Sequence, residues 1–157
     1  MTFQLGARSR TNIARVHPDL VLVLEHAIER SAQDFGIPEK SWRTVEEQRE
    51  KVRQGVSKTM HSNHIIKGDG FGWAVDVVPW INGAFTWDHI DPFYEIAEAM
   101  RSAASDLGVS LTWGCVWDRR LETLPTGAAG LKAAMLAYNS RHPGRDFNDF
   151  PHYQLES

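Results

Sequence analysis

The spacing of apolar residues predicts two helices in the first third of the chain. Over residues 17–36 the apolar side chains recur at helical spacing near one face, namely Leu20, Leu24, Ile28 and Phe35. Gly36 supplies the end of this helix. A second predicted helix begins with a capping box, in which Thr44 faces Glu47, and it ends at Gly55.

The middle of the chain combines a short strand with a long helix. Residues 73–78, "WAVDVV", are rich in β-branched side chains and are closed by Pro79, which predicts a strand. A helix follows, with Asp91 as its N-cap, Pro92 at its first position and Gly108 just past its end. Its apolar stripe consists of Phe93, Ile96, Ala97, Met100 and Leu107.

The last third adds two short strands, "SLTWG" and "HYQL", with a helix between them over residues 126–144. The apolar residues of that helix are Leu131, Met135 and Tyr138. The strands are short, and the helices are grouped instead of alternating regularly with them. We therefore expect an α+β fold, with a small antiparallel sheet flanked by helices, and not a doubly wound one. A length of 157 residues fits one domain over 1–157.

Composition and charge exclude several classes of function. The chain is 42% hydrophobic and 24% charged with a net charge of -3, so no basic face for nucleic acid is expected. No apolar run has the length of a membrane span, so no membrane insertion is expected. The N-terminus lacks the continuous apolar core of a secretory signal, which predicts synthesis in a cytoplasm. The single cysteine, Cys115, excludes an internal disulfide and a cysteine-cluster metal site.

Four residues are candidates for metal-assisted chemistry. Two histidines and one carboxylate, here His64, His152 and Asp76, form the ligand set of a catalytic zinc that keeps its fourth position open for water. Asp149 could then take the proton from that water. The spacing leaves open whether these residues converge, and an exposed edge strand with Asp76 in water is the alternative. Four other histidines fit surface or capping positions: His17, His26, His89 and His142.

The candidates lie in three separated motifs: Ser62-x-His64, then Gly72-x-Ala74-x-Asp76-Val77, and then Asp149-x-Pro151-His152. These motifs resemble the signature of the zinc D-Ala-D-Ala carboxypeptidase and L-alanyl-D-glutamate endopeptidase family. That family includes vancomycin-resistance D,D-peptidases and phage endolysins, and it shares its core fold with the Hedgehog signalling domain. "WRTVEEQREKVRQG" and "LTWGCVWD" resemble further family segments, so the likeness runs from about residue 40 to the end.

The resemblance implies a role for each matched residue. His64, Asp76 and His152 would hold one Zn2+ per chain, and Asp149 would be the general base. Arg43 matches the family arginine that contacts the substrate or stabilises charge on the reacting carbonyl.

Two further positions, Gln48 and Ser62, match family residues near the bound peptide. The alternatives are a surface charge before the helix cap for Arg43 and a solvated helix residue for Gln48.

The sequence departs from the family pattern in the segment between the first two ligands. The family motif is HxxGxAxD, whereas His64 and Asp76 are separated by an inserted loop at about 65–71. Its glycines suit a loop that leaves and returns. The insertion leaves open that His61 or Asp69 replaces a ligand, or that the loop covers the cleft.

Two other departures follow later in the chain. In "WGCVW", Cys115 and Val116 stand where the family has Gly and Asp, and we expect Cys115 to be a small buried filler. Trp113 and Trp117 either line the cleft or belong to the core. The variable segment at about 119–148 could form a helical flap beside the site.

The resemblance implies an endolysin that hydrolyses the L-Ala–D-Glu bond of the peptidoglycan stem peptide. The enzymatic alternative is a D-Ala-D-Ala carboxypeptidase. The non-enzymatic alternative is a zinc-containing wall-binding module, against which Asp149 and Arg43 argue. We expect a monomer that is made in the host bacterial cytoplasm and acts on periplasmic peptidoglycan after a holin opens the inner membrane.

Overall fold

The structure is a computed structural model that describes residues 2–144 and 148–156. Its helices are α1 (Ala7–Asn12), α2 (Pro18–Arg30), α3 (Val45–Arg53), α4 (Asp91–Leu107) and α5 (Ala128–Arg141), with a 3-10 helix at Leu121–Thr123. Its strands are β1 (Phe35–Gly36), β2 (Ala74–Asp76), β3 (Val78–Ile81), β4 (Ala84–Phe85), β5 (Leu111–Trp113) and β6 (His152–Leu155). The α+β fold is confirmed. Within the described residues, no helix combines the length and apolar character needed to cross a membrane.

The predicted N-terminal helix is shorter than expected. Helix α2 packs against α4 and buries Leu20, Leu24 and Ile28, but it ends at Arg30. Ser31 is extended, and its hydroxyl accepts a hydrogen bond from the backbone of Gln33, which replaces the next helical turn. Phe35 is buried as expected, although it lies in β1 and not in the helix.

The predicted strand over 73–78 is divided between two sheets. Strand β2 belongs to an antiparallel sheet with the order β2-β6-β5, and β3 belongs to a second one with the order β1-β3-β4. Between them, the Val77 amide donates to the carbonyl of Pro151 at 2.9 Å. Pro79 does not close the strand, because it lies inside β3 opposite Phe35. Two three-stranded sheets therefore replace the single predicted sheet.

The two C-terminal helices pack together on one side of the molecule. Helix α4 begins at Asp91, one residue earlier than predicted, and ends at Gly108, whose φ is 67°. Its predicted stripe is buried apart from the partly buried Leu107. Helix α5 packs on α4 through Leu131, Met135 and Tyr138.

The described part of the segment 119–148 therefore does not form a flap. Its 3-10 helix contacts α4 and β5, and its α-helix covers α4. Residues 145–147 of this segment, together with Met1 and Ser157, lie outside the described residues.

Candidate metal centre

Strand pairing brings together two of the predicted ligands. Asp76 at the end of β2 is directly opposite His152 at the start of β6. Side chains at such positions lie on the same face, with Cβ atoms about 5 Å apart. Asp76 Oδ1 is 3.4 Å from His152 Nδ1. The register of this pair of strands thus explains why residues far apart in sequence meet.

His64 reaches the same point from a loop. Its backbone carbonyl accepts from the Arg43 amide at 2.9 Å, and its own amide donates to Ser62 Oγ at 3.2 Å. Its Nε2 lies 3.5 Å from Asp76 Oδ2. One ligand atom from each of His64, Asp76 and His152 lies within 4.8 Å of the others, and these residues could hold a metal ion.

The hydrogen bonds of both imidazoles prepare this group for a cation. His64 Nδ1 donates to the carbonyl of Ser41 at 2.7 Å, so Nε2 keeps its lone pair in the neutral ring. His152 Nε2 donates to Gln154 Oε1 at 2.8 Å, so Nδ1 keeps its lone pair. Two lone pairs and a carboxylate thus face one point, and a divalent cation fits this donor set.

The partners that orient the two rings were not predicted from the sequence. Gln154 lies two positions after His152 and therefore on the same face of β6, a signal that the sequence contains. The partner of His64 is a main-chain carbonyl, at Ser41, for which no side-chain pattern exists.

Charge coupling in this group changes two pKa values. Burial opposes ionisation of Asp76, but hydrogen bonds from His152 and His64 outweigh it and hold the pKa of Asp76 far below its usual range. Burial also opposes the charge on His152, yet its hydrogen bond to Asp76 raises the pKa of that imidazole. Asp76 and His152 therefore favour each other's charged form when no metal is bound.

Asp149 lies beside this cluster and lines the same cleft, whose volume is about 480 Å³. Its backbone amide donates to the carbonyl of Gly114 at 2.8 Å, and the Gly114 amide donates to the carbonyl of His152 at 2.8 Å. A Cβ on Gly114 would lie 2.2 Å from the carbonyl oxygen of Asp149, so this approach requires a glycine. Burial raises the pKa of Asp149, and the negative charge of Asp76 adds to this effect.

The three predicted substrate contacts occupy different places. Arg43 and Ser62 line the cleft together with His64, Asp76 and His152. Gln48 is fully buried and does not belong to the cleft wall. Its Oε1 accepts from Arg43 Nη1 at 3.0 Å, so its contact with the site runs through Arg43.

The inserted loop folds away from the cluster. Asp69 accepts a hydrogen bond from Trp73 Nε1 at 2.8 Å, and Arg15 donates to the carbonyl of Gly70 at 3.1 Å. His61 is exposed, and among the described residues the possible metal group contains neither His61 nor Asp69. The loop is therefore attached to the N-terminal segment, and neither alternative ligand belongs to the possible metal group of the described residues.

The aromatic residues of "WGCVW" differ in their positions. Trp113 is fully buried and donates to the carbonyl of Phe150 at 3.0 Å. The Trp117 ring lies 5.4 Å from the His152 ring, so it packs against the candidate metal centre. Cys115 is buried, as expected.

The cleft is typical of a hydrolase, because a possible metal site opens beside a carboxylate and an arginine. Comparisons with known proteins identify its family. The family model for phage L-alanyl-D-glutamate peptidases matches residues 1–125. The L-alanyl-D-glutamate peptidase of Escherichia phage T5 is 32% identical over 120 residues, which cover 75% of this chain and 84% of that protein.

A solved structure extends the similarity to almost the whole chain. The L-Ala D-Glu endopeptidase ChiX of Serratia marcescens has 33% sequence identity and a TM-score of 0.69, covering 99% of this chain and 90% of that one. The chain therefore belongs to the phage L-alanyl-D-glutamate peptidase family. The family resemblance seen in the sequence is confirmed.

Proposed function

We propose that this protein is a zinc-dependent peptidoglycan endopeptidase that hydrolyses the L-Ala–D-Glu bond of the stem peptide. The observation that carries this proposal is the convergence of His64, Asp76 and His152 on one point of a cleft that Asp149 also lines. The names of the two relatives specify the bond. Ligation by two imidazoles and one carboxylate supports zinc as the metal.

The residues of the chain would divide the reaction between them. Zinc at this site would polarise the scissile carbonyl and lower the pKa of a water molecule to about 7. Asp149 would accept a proton from that water and deliver it to the leaving amine, a task for which its raised pKa suits it. Arg43 would donate hydrogen bonds to the carbonyl oxygen as it gains negative charge.

Gln48 orients Arg43 for this role. Arg43 Nη1 donates to Gln48 Oε1 at 3.0 Å, and Arg43 lines the cleft beside the candidate metal centre. The guanidinium is thus held on one side while its residue faces the cleft.

The proposal includes the place of action. Membership of a phage peptidase family supports synthesis in the host bacterial cytoplasm, followed by action on periplasmic peptidoglycan once a holin opens the inner membrane. We propose that the enzyme acts as a monomer, which light scattering coupled to gel filtration would measure.

The test is a mass spectrum of the peptides released from purified Gram-negative peptidoglycan, with a chelated control. New L-Ala carboxyl ends and D-Glu amino ends, lost on chelation, are expected. Release of single D-alanines would instead assign a carboxypeptidase. No release by the zinc-loaded protein would contradict both activities.

Two variants separate the proposed roles of the ligands and the base. His152→Ala should lose both zinc and activity, since a ligand is removed, whereas Asp149→Ala should keep zinc and lose turnover. Zinc content by atomic absorption measures the difference. Loss of zinc in Asp149→Ala would make the assignment of Asp149 as base wrong.

A further inference from the structure

The cleft contains two lysines that the proposed mechanism does not use. Lys51 on α3 and Lys58 in the loop after it line the cleft with Arg43. Neither lysine side chain forms an ion pair or a hydrogen bond with any residue that the structure describes. Several basic side chains elsewhere are paired with carboxylates, as in Lys40–Glu47, Arg30–Asp106 and Arg141–Asp118. Lys51 and Lys58 have no such partner among the described residues, so both side chains are available to a ligand in the cleft.

The charges of the cleft favour an anionic ligand. Its two acidic residues, Asp76 and Asp149, both belong to the candidate metal centre. A divalent ion there would offset their charge, which leaves the positive charges of Arg43, Lys51 and Lys58. This positive potential lies in a chain whose net charge is -3. A cleft with walls of low dielectric concentrates such a field on an approaching substrate.

The backbone beside Lys58 is held in place by Gln48. The Gln48 Nε2 donates to Ser57 Oγ at 2.9 Å and to the carbonyl of Thr59 at 2.8 Å, so the residues on both sides of Lys58 are held. Lys51 lies three residues after Gln48 on α3, which brings its side chain to the same side of the helix. One buried side chain thus organises this wall of the cleft.

We propose that Lys51 and Lys58 form a carboxylate-binding subsite that selects stem peptides in which the D-Glu α-carboxylate is free. This inference rests on the proposed endopeptidase function. In the stem peptide the D-Glu is linked through its side chain, so its α-carboxylate stays on the carbon that bears the scissile nitrogen. An ammonium group donates charge-assisted hydrogen bonds to such a carboxylate. An α-amide in place of this carboxylate removes the negative charge. The lysines should therefore give no preference for the amidated peptide.

The test compares two synthetic peptides, L-Ala-γ-D-Glu-diaminopimelate and its D-Glu α-amide. The wild-type enzyme should cleave the acid with a kcat/KM about tenfold above that of the amide, the value of one charged hydrogen bond. The double variant Lys51→Met/Lys58→Met should lose this preference through a higher KM for the acid, with the amide unchanged. Lys58→Arg should keep it. Lys132→Met, an exposed lysine of α5, is the matched control.

Two outcomes would overturn the subsite. Equal cleavage of both peptides by the wild-type enzyme would show no selection for the carboxylate. An equal loss on both peptides in the double variant would show a structural role for the lysines.

A binding measurement separates the subsite from the endopeptidase function. Each peptide is titrated calorimetrically into the zinc-loaded protein carrying Asp149→Ala, with and without the lysine substitutions. If the wild-type enzyme cleaves neither peptide, the endopeptidase proposal fails, and a lysine-dependent preference for the acid in binding would still establish the subsite. Equal binding of acid and amide would overturn it.

Discussion

Asp149 combines two properties that oppose each other energetically. It is placed near a second carboxylate in a largely buried position, which raises its pKa and makes its ionised form unfavourable. The same shift brings its proton affinity closer to that of the water from which it would remove a proton. The raised pKa of Asp149 therefore lowers the stability of the metal-free protein and would make this carboxylate a better base.

Asp149→Asn should show the effect of the Asp149 charge on stability and its effect on turnover in one variant. The folded-state pKa of Asp149 is raised, so ionisation of Asp149 destabilises the metal-free protein once the pH exceeds the unfolded value of about 3.9. At neutral pH the chelated variant should melt at a higher temperature than the chelated wild type. Its zinc-loaded turnover should fall by a factor of about 10²–10⁴. Calorimetry measures the melting temperature, and peptide hydrolysis measures the turnover. Unchanged turnover would contradict the proposed role of Asp149 as the general base.

Gly114 sets the position of Asp149 through the main chain. In Gly114→Ala the new Cβ would overlap the Asp149 carbonyl, so Asp149 and the strand start at His152 must shift. We expect a destabilisation of about 1–3 kcal/mol in urea denaturation. We also expect a fall in turnover.

The matched control is Gly68→Ala in the inserted loop, because a Cβ at Gly68 meets no atom within 4 Å. It should leave both stability and turnover close to the wild-type values. An equal effect of the two substitutions would show that the close approach at Gly114 is not what matters.

Helix α3 joins the wall of the cleft that contains Arg43 and Lys51 to the rest of the molecule. Its start is determined locally by the reciprocal hydrogen bonds of Thr44 and Glu47. Its one buried residue is polar: Gln48 is 0% exposed and contacts Arg43, Ser57 and Thr59. Such a buried amide is stable because its donors and acceptor are satisfied.

Gln48→Ala should disturb this wall without removing a ligand. Arg43 and the carbonyl of Thr59 would lose their partner, at a loss of about 1–3 kcal/mol in the free energy of unfolding. Zinc content should be unchanged and KM for the peptide should rise. Gln54→Ala, an exposed glutamine at the end of the same helix, is the control and should alter neither quantity. A normal KM in Gln48→Ala would contradict the bracing role.

The candidate metal centre connects parts of the molecule that are distant in sequence. His64 comes from a loop beside Arg43, Asp76 from β2 and His152 from the C-terminal strand β6. An ion bound by all three would stabilise the folded state, since the unfolded chain has no such site. Chelation should therefore lower the melting temperature.

The decrease in melting temperature on chelation should depend on pH. Without metal, the pKa of His152 is raised, so its protonation stabilises the fold below the unfolded value of about 6.5, and this contribution is lost as the pH rises through the folded pKa. The metal needs the deprotonated imidazole. The melting-temperature difference between zinc-loaded and chelated protein should thus widen from about pH 6 to about pH 8. His152→Ala should abolish the melting-temperature difference. A difference independent of pH would contradict the link between metal binding and His152 protonation.

Local sequence predicted α3, α4, α5 and most of α2, and the motifs named the candidate ligands, but α1 was not predicted. The capping box at Thr44 and the glycine stop at Gly108 act within one turn, so neighbouring residues suffice to predict them. The end of the first long helix and the division of the strand at Val77 were predicted wrongly. Both depend on which distant segment supplies a partner, as Pro151 does for the Val77 amide.

The convergence of the candidate ligands depended on tertiary structure. The motifs named His64, Asp76 and His152, but their convergence results from the register of β2 with β6 and from hydrogen bonds across the chain. Tertiary structure also determines the burial of Gln48 and the contact of Gly114 with Asp149. It likewise places Arg43, Lys51 and Lys58 in one cleft. Residue types specify which chemistry is available, whereas long-range pairing sets the distances at which it operates.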